Sequence, residues 1–338
     1  APPSHLTSKC ERFQMNKKKN AGIRKVVAIS SAVVTVVVLV TLLVLSMGGT
    51  QSKYLATAEF LKSQFVLGEY LEGFSPGVPE YGFSLEAVSQ LSQTSEVDSS
   101  MAIKFLLESE PDFLYSAETG EIIPGLAGKY LFASKVTGAA NGAQTQMVIG
   151  SLSELFQEDG TLTESSASTF DYAWMTLGLY AQDQQEMAKT FSATLTTLAR
   201  EDGGFGFDSS EFTTASTADA TAMAIMALEL TKDLDPALTA DKQNTIDAGL
   251  GYLDNSLVDG SHFVDLEVVN VNGTALALMA YLATRGELNE SVHAYLVAQI
   301  QEDGGIGSPW VENAGDRFAT AQGYLALEGK SYLSLLGR

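Results

Sequence analysis

The hydrophobic pattern of the chain divides into amphipathic stretches and stretches that are apolar almost all round. Amphipathic stretches with apolar residues every three or four positions predict helices that bury one face. Residues 221–228 and 274–281 consist mainly of alanine, leucine and methionine, and they predict helices covered on both sides. No segment after residue 52 alternates convincingly with period two, so the pattern predicts no sheet.

Short turn sequences recur between these stretches and indicate internal repeats. The aspartates of the four strongest lie 43, 57 and 44 residues apart. These four are Glu158-Asp159-Gly160, Glu201-Asp202-Gly203-Gly204, Asp259-Gly260 and Glu302-Asp303-Gly304-Gly305, with weaker counterparts at Gly68-Glu69-Tyr70 and Thr119-Gly120-Glu121. Because glycine ends helices and Asp-Gly suits a turn, each marks the connection between two helices.

The turns therefore predict six helical hairpins. The helices before the turns are predicted at 53–67, 98–110, 143–157, 185–200, 240–256 and 289–302. The helices after them are predicted at 84–94, 125–137, 169–182, 214–231, 271–285 and 316–336. The first set carries charges such as Lys189, Lys242 and Asp247, whereas the second is more apolar. We expect an all-α fold, an α/α toroid, in which the second set lies inside, the first forms the outer wall, and the last hairpin packs against the first.

A long uncharged segment precedes the repeats. No charged residue lies between Val26 and Met47, and a helix of this length spans about 33 Å, enough for a hydrocarbon core of about 30 Å. Basic residues cluster in the predicted cytoplasmic tail, 1–25, so the positive-inside rule places residues 52–338 outside a bacterial cytoplasmic membrane. Met15 begins a sequence typical of a bacterial start and export signal. Cleavage at Ser46-Met47-Gly48 is the alternative, although the apolar run exceeds that of most signal peptides.

Charge and cysteine content restrict the function of the exported part. Thirteen of the twenty basic residues and forty of the forty-one acids follow Met47, giving this part a net charge of about −27. Such a surface repels nucleic acid, so we expect no DNA or RNA partner. Cys10 is the only cysteine and precedes the apolar run. The domain therefore has no disulfide and no thiolate metal site, and a large core must stabilise it.

Two turns identify a family resemblance. Arg200-Glu201-Asp202-Gly203-Gly204-Phe205-Gly206 and Gln301-Glu302-Asp303-Gly304-Gly305-Ile306-Gly307 resemble the prenyltransferase and squalene oxidase repeat. The resemblance covers the repeat domain, is strongest from residue 150 onward, and implies an α/α toroid of the terpenoid cyclase type. It says little about chemistry, because this fold carries several unrelated functions.

The catalytic motifs that the resemblance implies are missing. The domain has no cysteine and only His262 and His293, which excludes the zinc site of protein prenyltransferases. Thr217-Ala218-Asp219-Ala220-Thr221-Ala222 matches the cyclase motif Asp-x-Asp-Asp-Thr-Ala only at its middle acid, and the Cys-Gly-Glu-Gln motif of thioester domains is absent. We therefore expect neither a metal nor a cofactor.

The predicted inner helices suggest a site at one mouth of the ring. Their alignment places Ser84, Asp171, Asp219, Asn272 and Phe318 at corresponding positions near the helix starts. The two aspartates fit helix caps. Alternatively, they form a carboxylate pair on neighbouring helices, suited to the acid and base of an inverting glycosidase.

Aromatic residues gather near the same helix starts and loops. Trp174, Trp310 and Phe318 complete the predicted binding set, although most aromatic residues there suit packing. The aspartates of the turns, Asp202, Asp208, Asp259 and Asp303, fit turn chemistry better than calcium binding, because the spacing of a known calcium loop is absent.

Three functional hypotheses remain open. The missing catalytic motifs favour a non-catalytic binding or scaffold module that recognises a protein partner in or at the membrane. The alternative is an enzyme on an α/α toroid that acts on a cell-envelope glycan through Asp171 and Asp219. The third hypothesis is capture of a small apolar or vitamin-like ligand.

Overall fold

Helical hairpins built from alternating polar and apolar helices make up the described part of the chain. A computed structural model describes residues 54–139, 141–157, 167–207, 215–265 and 267–338. Residues Ser52–Arg338 form one compact unit. The predicted tail and the predicted membrane helix from Val26 to Met47 lie outside the described residues. Within the described ranges, no helix is both long and apolar enough to cross a bilayer.

The described residues form twelve α-helices, paired as six hairpins. The first helix of each pair is α1 (Leu55–Ser63), α3 (Ser100–Ile103, continued by a π turn Lys104–Glu108), α5 (Gly142–Glu154), α7 (Gln185–Thr197), α9 (Thr239–Ser256) and α11 (Glu290–Ala298). The second is α2 (Tyr81–Leu91), α4 (Pro124–Thr137), α6 (Thr169–Ala181), α8 (Ala218–Thr231), α10 (Val271–Arg285) and α12 (Arg317–Leu327). These bounds follow the predicted ones closely, except at the end of α12.

The even-numbered helices form the inner ring. Each packs against the next from α2 to α12, and α12 returns to pack against α2 and α1. Nearly every residue of α8 and α10 is buried, as their apolar composition predicts. The ring is therefore closed, and the all-α toroid prediction is confirmed.

The outer helix α9 differs from its prediction at Lys242. This residue was placed on the charged outer wall, but its side chain is fully buried beside α7 and α8. The buried positions of α9 are Lys242, Ile246, Gly249 and Leu253, which recur at helical spacing. The lysine therefore occupies a core-facing position of an otherwise regular amphipathic helix.

Two minimal ladders correct the prediction that the domain has no strands. The strands β1 (Phe65–Val66) and β2 (Tyr70–Leu71) pair antiparallel, and so do β3 (Val264–Asp265) and β4 (Val268–Val269). Each has two residues, too few for a period-two pattern to appear in the sequence.

The last inner helix is shorter than predicted. It was expected to run to residue 336, but α12 ends at Leu327 because Gly329 takes a left-handed conformation, φ +66°. The chain then turns back, and Tyr332 and Leu333 are buried while a 3-10 turn follows at Ser334–Leu336.

Candidate active site

The starts of the inner helices surround a cavity of about 740 Å³, within the size range of ligand pockets. The lining residues come from the first two turns of α2, α4, α6 and α8 and from the loops before them, together with Leu276 of α10 and Gln322 of α12. Because every inner helix begins at this mouth, their backbone N–H groups and positive dipole ends face it. Side chains already accept from several of these N–H groups, at the caps Glu80, Ser168 and Thr217.

Asp171 lines this cavity but is fully engaged in hydrogen bonds. Its Oδ2 accepts from the backbone N–H and the hydroxyl of Ser168, both at 2.7 Å, completing a capping box at the start of α6. Its Oδ1 accepts from the backbone N–H of Gly125, 3.0 Å away in the first turn of α4. Asp171 thus caps two inner helices at once, and the cap interpretation explains its position.

Asp219 lines the same cavity with less of its carboxylate engaged. Its Oδ1 accepts from the hydroxyl of Thr217, the cap residue of α8, and from the backbone N–H of Ala220 at 2.8 Å. Its Oδ2 has no hydrogen-bond partner within the described ranges of the chain. This oxygen can accept a hydrogen bond or a proton from a bound molecule, so Asp219 is the stronger chemical candidate.

A polar network forms the inner end of the cavity. The ammonium group of Lys129 pairs with Glu86 and lies 5.6 Å and 5.3 Å from the ring centroids of Phe83 and Trp174. The buried Glu86 carboxylate also accepts from Gln322 Nε2 at 3.1 Å. Lys129 and Gln322 therefore present polar groups to the cavity from a rigid support.

Tyr332 completes this network from the side opposite the mouth. Its hydroxyl donates to Glu86 Oε2 at 2.8 Å, and its ring contacts Phe132 and Trp174 edge to face. Burial and the charge of Glu86 raise the pKa of Tyr332 well above its usual value. The phenol therefore stays a hydrogen-bond donor. Sequence reasoning missed Glu86 and Lys129, although a charge within a largely apolar inner helix is a usable signal.

The structure brings together only part of the predicted site. Trp174 lines the cavity with Asp171 and Asp219. Asn272 and Phe318 do not line the cavity. Asn272 donates to Gln322 Oε1 at 2.8 Å, and Phe318 packs on Phe83 with ring centroids 4.8 Å apart. Trp310 is not in this cavity and is 77% exposed.

The predicted alignment of the helix starts is also corrected. Asp219, Asn272 and Phe318 are each two residues after their helix caps, but Asp171 is three and Ser84 is four residues after theirs. The structural equivalents of Ser84 are Thr221, Thr274 and Thr320. These hydroxyls accept from loop N–H groups at 2.8 to 3.1 Å. The cap of an inner helix can move by one or two residues without a change in the amino-acid composition of the helix. Alignment of the helix sequences therefore did not locate the caps.

A further carboxyl group, missed by sequence reasoning, interacts electrostatically with Asp219. Burial and the charge of Asp219 raise the pKa of Asp265, although a hydrogen bond from Asn270 opposes the effect. Asp265 does not line the cavity. Among the described residues, no group of three or more histidine, cysteine, aspartate or glutamate side chains is placed to hold a metal ion.

The turn aspartates have structural roles. Asp202 Oδ1 accepts from the N–H of Gly204 at 2.9 Å and the hydroxyl of Ser216 at 2.8 Å. Asp303 accepts from the N–H groups of Gly305 and Gly315, each at 3.0 Å. Both join a turn to the start of the following inner helix, as turn chemistry predicts. Asp208 lies outside the described residues.

Solved structures resemble this domain, although no family model matches the chain and no curated protein sequence matches it significantly. A type II terpene cyclase from Scytonema shares 12% identity over 84% of this chain and 97% of the cyclase, with a TM-score of 0.59. The domain is an α/α toroid.

Two further similar structures are those of a glucuronyl hydrolase and of a possible glycoside hydrolase. An unsaturated glucuronyl hydrolase from Bacillus sp. GL1, described as responsible for degradation of glycosaminoglycan, shares 10% identity over 80% of this chain and 93% of the hydrolase, with a TM-score of 0.55. A possible member of glycoside hydrolase family 105 from Salmonella enterica shares 12% over 84% and 94%, with a TM-score of 0.56. At these identities the likeness establishes the fold alone.

The comparison corrects the leading functional hypothesis. A non-catalytic binding or scaffold module was predicted from missing cyclase and prenyltransferase motifs. That prediction is contradicted, because the solved structures that share this fold include glycoside hydrolases such as the unsaturated glucuronyl hydrolase. The finding points to the alternative, an enzyme on an α/α toroid.

Proposed function

We propose that this protein is an enzyme that hydrolyses a glycan in the cavity at the mouth of its ring. The observation that carries the proposal is the presence of Asp219, with one free carboxylate oxygen among the described contacts, in a cavity shared with Asp171, Trp174 and Lys129. Aromatic and polar side chains around a carboxylate suit a sugar, which presents C–H faces and hydroxyl groups. The glycan-active neighbours support the same reading.

The two carboxylates have different roles in this proposal. Asp219 exchanges a proton with water or with the glycosidic oxygen, since it lines the cavity and its Oδ2 has no partner among the described residues. Asp171 positions the starts of α4 and α6, because three donors already engage its oxygens. Lys129 and Gln322 hydrogen-bond sugar hydroxyl groups and orient the ring.

Substitution of the two aspartates tests the proposal. Asp219→Asn keeps an oxygen for Thr217 and Ala220, so the midpoint of thermal unfolding should stay nearly unchanged. The rate of glycan cleavage should fall by about a hundredfold or more, the usual worth of an acid or base. Activity is followed by mass spectrometry of products from purified bacterial envelope oligosaccharides.

Asp171→Asn is the matched comparison. It should lower the free energy of unfolding by about 0.5 to 2 kcal/mol, the worth of a lost cap. If wild type cleaves none of the oligosaccharides, or if Asp219→Asn keeps full activity, the proposed function is wrong.

We also propose that the domain acts outside the cytoplasm, held by the apolar run Val26 to Met47. The support is the sequence alone: the basic residues before the run and the acidic domain after it. Protease added to intact spheroplasts should digest residues 52–338, whereas full protection of these residues would contradict this placement.

A further inference from the structure

A second, smaller cavity lies between the fifth and sixth hairpins. It has a volume of about 340 Å³ and is lined by residues from the end of α11, the start of α10 and the loop before α12. It shares no lining residue with the cavity at the ring mouth. Its volume falls at the lower end of the range for ligand pockets, which suits one or two small cyclic units.

The lining of this cavity is polar but carries no charge. Its polar side chains are the amides of Gln299, Gln301 and Asn313 and the hydroxyls of Tyr295 and Ser308. This is unusual on a protein with a net charge of −21. An ionised ligand would lose its hydration here without gaining a charged partner, whereas a neutral polar ligand would not.

Several of these groups retain hydrogen-bonding capacity. Gln301 Nε2 donates to the backbone oxygen of Gln299 at 2.9 Å, and Gln299 Nε2 donates to the backbone oxygen of Tyr295 at 3.4 Å. Both amide oxygens, the Tyr295 hydroxyl and the Asn313 amide have no partner among the residues that the structure describes. The cavity thus offers both donors and acceptors, the combination that hydroxyl groups require.

Trp310 lies in the loop that borders the cavity, between the lining residues Pro309 and Val311, and its side chain is exposed. The backbone N–H of Trp310 donates to the Ser308 hydroxyl at 3.2 Å, and the backbone N–H of Val311 donates to the Ser308 carbonyl oxygen at 3.3 Å. The Ser308 hydroxyl in turn donates to Asp316, the cap of α12. A fixed turn therefore holds the indole in solvent, and such an exposed tryptophan is typical of a binding surface.

We propose that this cavity is a second carbohydrate site, which binds a neutral sugar unit with one sugar face on Trp310. The amides and hydroxyls hydrogen-bond the sugar hydroxyl groups, and the indole covers the C–H face. The proposal rests on the proposed function only in that both sites would hold the same class of glycan. Binding here needs no chemistry at Asp219.

Selective quenching of Trp310 tests the site in the full-length protein. The chain has two tryptophans, and Trp174 is only 2% exposed, so acrylamide quenches Trp310 preferentially. Glucose, galactose, mannose, N-acetylglucosamine and their β-1,4-linked disaccharides serve as probes, added to the Asp219→Asn variant at millimolar concentration. At least one probe should protect Trp310 from acrylamide, while glucuronate should not. If no neutral probe protects it, the proposal is wrong.

Variants connect the protection to the cavity. Trp310→Ala should weaken the binding of the protecting sugar, measured by calorimetry, by about tenfold or more, and Trp310→Phe should restore most of it. Gln301→Leu should also weaken binding, whereas Gln322→Leu in the ring cavity should not. If Trp310→Ala binds the sugar as tightly as wild type, the proposal is overturned. It is also overturned if a proline-rich peptide protects Trp310 from acrylamide and none of the sugars does. If Asp219→Asn no longer cleaves the glycan but a sugar still protects Trp310, the second site is distinct from the catalytic one.

Discussion

Lys242 shows how a single residue can conflict with its surroundings. Its Nζ donates to the Ser192 hydroxyl at 2.8 Å and to the Thr231 carbonyl oxygen at 3.0 Å, with no carboxylate among these contacts. Burial lowers the pKa of Lys242 from 10.5 to about 8, and the nearby charge of Lys189 acts in the same direction while Asp235 opposes it. The folded state therefore favours the neutral amine more than the unfolded state does.

This difference predicts an unusual dependence of stability on pH. Between pH 8 and 10.5 the unfolded chain holds a proton on Lys242 that the folded chain has lost, so stability rises with pH. Relative to Lys242→Met, the free energy of unfolding of wild type should increase by about 2 kcal/mol from pH 7 to pH 10. Urea unfolding of both proteins at each pH measures this difference. A difference that stays constant would contradict the lowered pKa.

Some site residues could be found from sequence and others could not. Asp171, Asp219 and Trp174 were found because caps and turns fix their positions along the chain. The pairing of Glu86 with Lys129 joins residues 43 apart on different helices, and no local pattern reports such a contact. Lys242 was assigned to the outer wall because it is charged, although its spacing from Ile246 and Leu253 is that of a core-facing residue.

At the level of elements, the segment after α12 closes the inner ring from the side opposite the mouth. Helix positions could be predicted since the hydrophobic period and the turn glycines agree. The end of α12 could not, because Leu333, Leu335 and Leu336 continue the apolar pattern past the Gly329 turn. That turn directs Tyr332 to Glu86, so a short irregular segment supports the Lys129 pair.

Removal of the Tyr332 hydroxyl group measures how much this segment stabilises the Glu86 carboxylate. Tyr332→Phe leaves the buried Glu86 carboxylate without one donor, which should lower the free energy of unfolding by about 1 to 3 kcal/mol. Tyr295→Phe is the matched control, because its hydroxyl has no partner among the described residues, and it should change stability little. Urea unfolding at neutral pH compares them, and equal losses would contradict the role assigned to Tyr332.

At the scale of the whole molecule, equivalent glycines show how the ring closes. Gly203 takes φ +84° and lies against the backbone carbonyl of Ala248 in α9, the outer helix of the next hairpin. Gly304 takes φ +90° and lies in the same way against Ala56 in α1. The sixth hairpin therefore contacts the first as the fourth contacts the fifth. Phe60 packs beside Gly305 and Gly315, which adds apolar contact to the same junction.

A side chain at this junction should open the ring. Gly304→Ala combines left-handed strain with crowding against Ala56, whereas Gly120→Ala has similar strain at φ +72° and open space around it. The control should cost about 1 kcal/mol and Gly304→Ala clearly more. Hydrogen exchange should show reduced protection of α1 in Gly304→Ala only. Equal protection of α1 in both variants would argue against closure through this contact.

Closure also limits how this architecture can change in length. Six hairpins complete one revolution, so each turns the chain by about 60°, and a set that misses a full revolution becomes an open spiral instead. A seventh hairpin would alter every helix crossing, unlike an added repeat in a solenoid. Divergence in size is therefore restricted to the loops. The loops before the inner helices, which carry Phe74, Phe207 and Trp310, can lengthen or shorten without disturbing the ring.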